Sequence, residues 1–482
     1  MMKDLFLKKD VGTALKNAEN SGLKRNLNAT NLVLLGIGAI VGTGIFVITG
    51  QAAAMYAGPA LSLSFVISAL ACVLAGLCYA EFAAMIPVSG SVYSYCYTAL
   101  GELPAWFVGW TLVMEYIFSC SSVAVGWSGY MTSLFDSFNL HIPEHLSRST
   151  LDHTDELGWF FTGSLIDFPA VFIIAIVTVF LLSGIKQSTR INNIIVLIKV
   201  AVILLFVGFG LSYVNPENLT PFVPKNTGEF GDFGWSGVLR GAAVVFYAYL
   251  GFDALSTAAQ EVKNPQKDMP KGILISLLIC VILYVAVTLV LTGMVPYYKL
   301  NDEAPIAIAI DSVGAGLRWL SPFIKIGALA GITSVILVMS LGQSRIYYAI
   351  SKDGLLPKLF SKVNKNGSPA NATICGGIIT AIIAGILPLH VLVELVSIGT
   401  MLAFTIICIS VVVLRRTQPL LNRPFKTPWV PFIPLLGAAI CILQMVALPE
   451  ATWIRLAIWT AIGLTIYFTY GIRHSKLRKG TY

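Results

Sequence analysis

Apolar runs long enough to cross a bilayer recur along this chain, and they limit its architecture more than any other feature. A hydrocarbon core needs about 20 apolar residues per helix. Twelve segments meet that demand: 31–55, 61–86, 103–134, 167–185, 191–214, 236–260, 271–295, 318–350, 371–388, 391–414, 430–448 and 452–471. Charged residues fill 12% of the 482 positions and hydrophobic ones 56%, with a mean hydropathy of +0.79. A soluble protein carries about 25% charged residues. The expected class is an all-α polytopic membrane protein with 12 transmembrane helices and the lipid bilayer as its surroundings.

An even number of crossings returns the chain to its starting side, and Lys and Arg favour the cytoplasmic side. Of the 32 basic residues, 24 fall on the side of the N-terminus. They run from Lys3, Lys16, Lys24 and Arg25 through Lys186 and Arg190, Lys263 to Lys271, Arg345 to Lys365, Arg415 to Lys426, and Arg473 to Lys479. Five lie opposite (Arg148, Lys225, Lys299, Arg318 and Arg455), and Lys199, Arg240 and Lys325 fall within or at the edge of spans. Both termini are therefore expected in the cytoplasm. Scattered over loops, these charges form no nucleic-acid patch. The eight cysteines lack a C-x-x-C pair and read as small buried hydrophobes. The loop 135–166 holds His141, His145 and His153 without tight ligand spacing and is expected to be a solvated loop, not a metal site. About thirty mostly polar residues precede a first run long enough to span, so no cleavable signal is expected.

The first run begins GIGAIVGTGIF, with Gly36, Gly38, Gly42 and Gly44 inside what should be a helix. Small residues at four-residue spacing serve tight helix packing, and glycine also permits a break and the close approach of a ligand to backbone. The sixth run, FYAYLGFDALSTAAQEV, carries Gly251 beside Phe252 and Asp253 at its middle. Runs one and six correspond if 31–214 and 236–414 are two halves. Five crossings per half force the second half to enter from the opposite side, so the repeat is inverted. The remaining divisions are a cytoplasmic segment 1–30, two further helices over 430–471 and a tail 472–482. Interrupted helices at matching places in inverted halves point to a transporter's binding site near the midplane. A half-helix N-terminus suits a carboxylate, and unwound carbonyls suit an ammonium. An amino acid offers both.

Ionisable residues inside a membrane are functional candidates, because inserting one costs roughly 2.5–3.5 kcal/mol. Lys199 lies nine residues past Arg190, about 13 Å along a helix, where it can load and release a proton or snorkel. Glu115, near the middle of the third run, can meet substrate or bond a neighbouring helix. Asp253 reads first as a local cap. Glu81 and Lys325 fall near span ends and are expected to reach the interface.

GIGAIVGTGIF, the PVSGSVYSY loop, FYAYLGFDALSTAAQEVKNPQKDMPKGI and SRIYYAISKDGLLPKLF together resemble the amino acid–polyamine–organocation permeases, near the bacterial relatives of the cationic amino acid transporters. The resemblance runs from about residue 22 onward. It implies the LeuT-like 5+5 inverted repeat plus two C-terminal helices, and proton-coupled amino acid uptake across a bacterial plasma membrane. It implies that Ile40, Gly42, Thr43 and Gly44 hold the α-carboxylate and α-amino groups, with Tyr247 and Leu250 completing the amine side and Tyr247 closing over the substrate. Many relatives carry phenylalanine where Tyr247 stands. The resemblance further implies that Lys199 couples the proton, that Glu115 lines the site region, and that Met339 narrows the side-chain pocket towards small or branched neutral amino acids. No cofactor is expected beyond the coupling proton. A cationic carrier or an exchanger of the same fold, a non-translocating sensor and a membrane enzyme are the rival readings. For the last there is no nucleophile–base pair, metal cluster or phosphate loop to support it.

Overall fold

The computed structural model describes residues 3–10, 12, 27–87, 90–154, 157–183, 189–257, 259, 262–302, 304–317, 319–364 and 369–480. Among the basic residues used above for orientation, Lys16, Lys24, Arg25, Lys186, Arg318 and Lys365 lie outside the described residues. The first apolar run divides into α1 (Ala29–Ile40) and α2 (44–57), the latter wound with π-turns at Gly44–Ile48 and Ala53–Ala57. Next come α3 (Leu61–Met85), α4 (Ser91–Ala99), α5 (Glu102–Asp136), α6 (Phe168–Leu182) and α7 (Thr189–Gly210). The sixth run divides into α8 (Gly234–Val245) and α9 (Phe252–Thr257). The remainder is α10 (Pro265–Met294), α11 (Pro305–Ser312), α12 (Ser321–Lys352), α13 (Ala370–Ile386), α14 (Leu389–Thr417), α15 (Phe432–Ala447) and α16 (Glu450–Ile466).

Among the described residues, eight helical segments are long and apolar enough to cross a membrane, and four shorter apolar helices accompany them. Their outward faces stay greasy: Leu197 and Leu204 on α7, Ile275, Leu278 and Ile282 on α10, Ile378 and Ile382 on α13, and Ile454 and Ile458 on α16 are all exposed. Such a belt is unstable in water and at home among acyl chains. Hydroxyls take the interior instead, with Ser64, Ser68, Ser121, Ser122, Thr288 and Thr292 buried.

The packing pairs helices across the two halves. The helix α1 lies on α10 while α8 lies on α3; α3 lies on α10; α5 lies on α12; α5 meets α14 as α12 meets α7. Each contact maps onto its counterpart when positions are shifted by one half.

Three features depart from the sequence expectations. The chain is helical as expected, but β1 (Leu151–Thr154) and β2 (Gly158–Phe161) add a short antiparallel hairpin inside the loop read as solvated, its residues half-buried or exposed. A cross-strand His153–Trp159 pair supports it, His390 Nε2 lies 3.1 Å from His153 O, and Arg455 sits over the Trp159 ring. The PVSGSVYSY loop becomes the buried helix α4 from Ser91 onward, with Tyr93, Tyr95 and Tyr97 fully buried; Val88 and Ser89 lie outside the described residues. Glu81 and Lys325 are buried and paired within the protein instead of standing free at span ends. Glu81 accepts from Arg415 (2.7 Å and 3.0 Å) and from the Thr427 amide (2.8 Å), with Arg423 at 3.4 Å. Lys325 donates to Ser133 O, Ser137 Oγ and Asp311 Oδ2.

Both described ends of the chain meet on one face. Lys9 pairs with Asp353, which also accepts from Tyr93 Oη, and the Lys476 amide donates to Asp353 O. Glu102, fully buried, receives Tyr97 Oη, Tyr467 Oη, Ser475 Oγ and Arg478 Nε. Burial outweighs the attraction of Asp353 at Lys9 and pushes its ammonium below the usual lysine range.

Candidate functional site

The helix α1 ends at Ile40 because Val41 is extended (φ −73°, ψ 103°), and the chain bends through Gly42 before winding resumes. The break in the sixth run is sharper. A 3-10 turn, Phe246–Tyr249, gives way to extended Leu250 and then to Gly251 at φ +113°. Each break is fitted against the other by a glycine. A Cβ on Gly44 would lie 2.3 Å from Ala248 Cα, and one on Gly251 would lie 2.6 Å from Ala39 O. Only glycine allows both approaches, and at Gly251 the backbone angle demands it as well. Gly36 serves packing instead, since a Cβ there would strike Ser276 of α10. The two readings of the glycine-rich run therefore divide by residue.

A broken helix leaves carbonyls without partners, which are expensive away from water. Lys199 Nζ donates to Gly38 O (2.8 Å) and Val41 O (2.9 Å). It is fully buried on α7, its stem lying along Gly331 of α12, so snorkelling is not its conformation here. Tyr284 of α10 places its Oη 2.9 Å from both Ile40 O and Ala248 O. One hydroxyl proton thus stands between a carbonyl of each break. Gly42, Thr43 and Gly44 head the helix that follows, with leading N–H groups that the same helix cannot accept.

The rest of the site lines α5. Tyr247 Oη lies 2.8 Å from Ser122 Oγ, and Ser119 and Thr43 stand beside the same hydroxyl. Thr43 Oγ1 is buried with no hydrogen-bond partner among the described residues. Leu250 is buried at the second break. Met339, also buried, neighbours Ser340, whose hydroxyl is 3.6 Å from Cys120 Sγ across the α5–α12 seam.

Ile40, Gly42, Thr43, Gly44, Lys199, Tyr247 and Leu250 are therefore gathered around the two breaks. Glu115 and Asp253 are set differently. Asp253 Oδ1 accepts the Gly251 amide at 3.1 Å, the local-cap role. Glu115 sits one helical turn from Ser119, facing Thr400 and Asp253, and its Oε2 has no hydrogen-bond partner among the described residues. Tyr284, Ser119 and Ser122 escape sequence reasoning, because a hydroxyl in a membrane helix carries no signal that separates a ligand group from one bonded to its own backbone.

Among the described residues no group of three His, Cys, Asp or Glu is arranged to hold a metal, and the eight cysteines are free, all but Cys375 buried.

The amino acid permease family model matches residues 27–468. The chain belongs to that family. It is similar to a methylthioribose transporter of Bacillus subtilis, 48% identical over 99% of this chain and 100% of the relative. It is also similar to the branched-chain amino acid permease BcaP of the same organism, 45% identical over 99% and 100%. A vacuolar cationic amino acid transporter of Arabidopsis thaliana is 37% identical over 87% of this chain and 68% of its own length. These relatives are transporters and permeases, and this permease is not an enzyme.

Proposed function

We propose that this permease imports neutral L-amino acids, small or branched, with a proton, by alternating access across a bacterial plasma membrane, its termini cytoplasmic. The observation that carries the reading is the fit of the two helix breaks: Gly44 against Ala248, Gly251 against Ala39, and Lys199 on the carbonyls of the first. The shifted packing pairs and the apolar segments favour twelve crossings in a LeuT-like inverted repeat with two added helices. BcaP, a branched-chain permease by name, supports the substrate class.

In this mechanism the amides of Gly42, Thr43 and Gly44 take the substrate carboxylate, while the carbonyl of Ile40 and the backbone at Leu250 take the amine. Tyr247 closes over the side chain, which extends towards Met339. Glu115 polarises the inner side of the site. Charged Lys199 holds the end of α1 against α7. When its proton leaves, the ammonium's hold on Gly38 O and Val41 O weakens and α1 is free to swing, so proton release and substrate release occur together.

Uptake into proteoliposomes tests this. Alanine and valine should accumulate under an imposed pH gradient. Lys199→Ala should lose that accumulation while substrate still binds. Uptake of lysine alone would assign a cationic carrier, and transport only against internal substrate would assign an exchanger.

A second reading has its own support. The Tyr247–Ser122 hydroxyl pair suits a hydroxylated substrate, and one relative is a methylthioribose transporter. Methylthioribose uptake without alanine or valine uptake would establish it.

A further inference from the structure

We propose that the loop joining α14 to α15, residues 418–431, binds the anionic headgroups of membrane phospholipids and seats Leu420 and Trp429 at the top of their acyl chains. This role is independent of which substrate is carried.

The charges divide into two pairs. No Asp or Glu lies between Glu394 and Glu450, and the interval holds four basic residues, Arg415, Arg416, Arg423 and Lys426. Arg415 and Arg423 turn inward and pair with Glu81 of α3. Arg416 and Lys426 are exposed and form no ion pair among the described residues. The inward pair fixes the loop. Arg423 donates to the carbonyls of Leu414, Gln418, Pro419 and Leu421. Thr427 fastens the far side: its amide donates to Glu81 (2.8 Å), its hydroxyl donates to Leu77 O (3.0 Å), and its carbonyl accepts from Arg415 (2.9 Å).

On this fixed frame Leu421, Phe425 and Val430 pack inward while two apolar tips face out. Leu420 is 97% exposed and Trp429 79%. Trp429 stands at φ +44°, a conformation that suits glycine, yet the position carries the largest side chain. It lies three residues ahead of Phe432, which opens an exposed stripe along α15 with Leu435, Leu436, Ile442, Leu443 and Val446. That stripe belongs against acyl chains, so the loop lies where they end, at the headgroup level that tryptophan favours. There the unpaired Arg416 and Lys426 meet lipid phosphates. In the orientation proposed above this is the cytoplasmic leaflet, whose anionic lipids attract basic groups. An acidic protein segment would match the charges but would not account for apolar tips continuous with the stripe.

Purified full-length protein in detergent, mixed with dioleoylphosphatidylglycerol or dioleoylphosphatidylcholine, reports the site through its melting temperature. Phosphatidylglycerol should raise the midpoint by a few degrees more than phosphatidylcholine does. Arg416→Gln with Lys426→Gln should weaken the apparent phosphatidylglycerol affinity roughly tenfold or more and leave the phosphatidylcholine response unchanged. Lys358→Gln with Lys362→Gln removes two exposed lysines counted on the same side of the membrane and should keep the wild-type response. Trp429→Gly, which suits the left-handed backbone, should melt no lower than wild type without added lipid and respond less to both lipids. A nitroxide on Leu420→Cys, in a Cys375→Ser background, should be reached more readily by oxygen than by a water-soluble nickel chelate in phosphatidylglycerol liposomes. Equal losses in the two double variants, or a wild type indifferent to headgroup charge, overturn the proposal. So does a label at 420 that lies in water, which would assign the loop to a protein partner instead.

Discussion

At the scale of single residues, the glycines separate two effects that are usually entangled. Gly251 combines a left-handed φ of +113° with a Cβ position 2.6 Å from Ala39 O. Gly228 has φ +115° but nothing within 4 Å of the same point. Gly208, on α7, has neither a positive φ nor a neighbour there. Strained backbone costs about 1–3 kcal/mol. Gly228→Ala should therefore lower the melting temperature modestly without touching transport. Gly251→Ala should lower it more and abolish uptake, because α1 and the second break must part. Gly208→Ala should be neutral or slightly stabilising, since alanine suits a helix better. Thermal shift and uptake on the three variants check the order; equal losses would mean that the fit between breaks is unimportant. The hydroxyl of Tyr284 belongs to the same scale. Tyr284→Phe leaves Ile40 O and Ala248 O without their shared donor and should cost about 1–3 kcal/mol, read as a lower midpoint rescued in part by substrate.

At the scale of elements, the interruptions were legible because glycine and the Phe252-Asp253 pair disturb otherwise apolar helical runs at matching places, which helix packing by small residues does not require. Lys199 was legible for a similar reason, since a charge in the middle of a span stands out. The hairpin β1–β2 was not. Its stability comes from contacts made across the fold, Arg455 over Trp159 and His390 at His153 O, and a local reading of 135–166 sees apolar residues scattered among polar ones without a strand period. The helix α4 was hidden by the same logic. Tyr93 bonds Asp353 past the end of α12, Tyr95 stacks on Phe82 of α3, and Tyr97 bonds Glu102 of α5. Glu81 shows what burial changes. Its carboxylate ties α3 to the end of α14 through Arg415 and Arg423, with the side chains of Glu81 and Arg423 only 3% and 5% exposed. Removing one member of such a pair strands the other, at a cost of about 3–5 kcal/mol. Glu81→Gln should thus cause a clear fall in melting temperature. Glu144→Gln, which breaks an exposed pair with Arg148, should cause none that can be measured.

For the whole molecule, the proposed cycle has an electrical consequence. A zwitterion entering with one proton carries one net charge, worth about 2.3 kcal/mol per 100 mV. At about 1.4 kcal/mol per factor of ten, a potential of 100 mV, inside negative, should sustain roughly 50-fold accumulation of a neutral amino acid without any pH gradient. Potassium-diffusion potentials across proteoliposomes measure this directly. Accumulation that ignores the potential would mean that the charge is balanced by another ion or by exchange. The meeting of the chain ends has a different kind of consequence. Glu102 precedes Arg478 by 376 positions, yet it is held by Arg478, Ser475 and Tyr467. During synthesis, its carboxylate enters the membrane boundary long before the ribosome has made the groups that will neutralise it. A nascent chain is therefore chemically unfinished at that point until nearly its last turn emerges. A product released before Tyr467 would keep, of the four donors that hold Glu102, the Tyr97 hydroxyl alone.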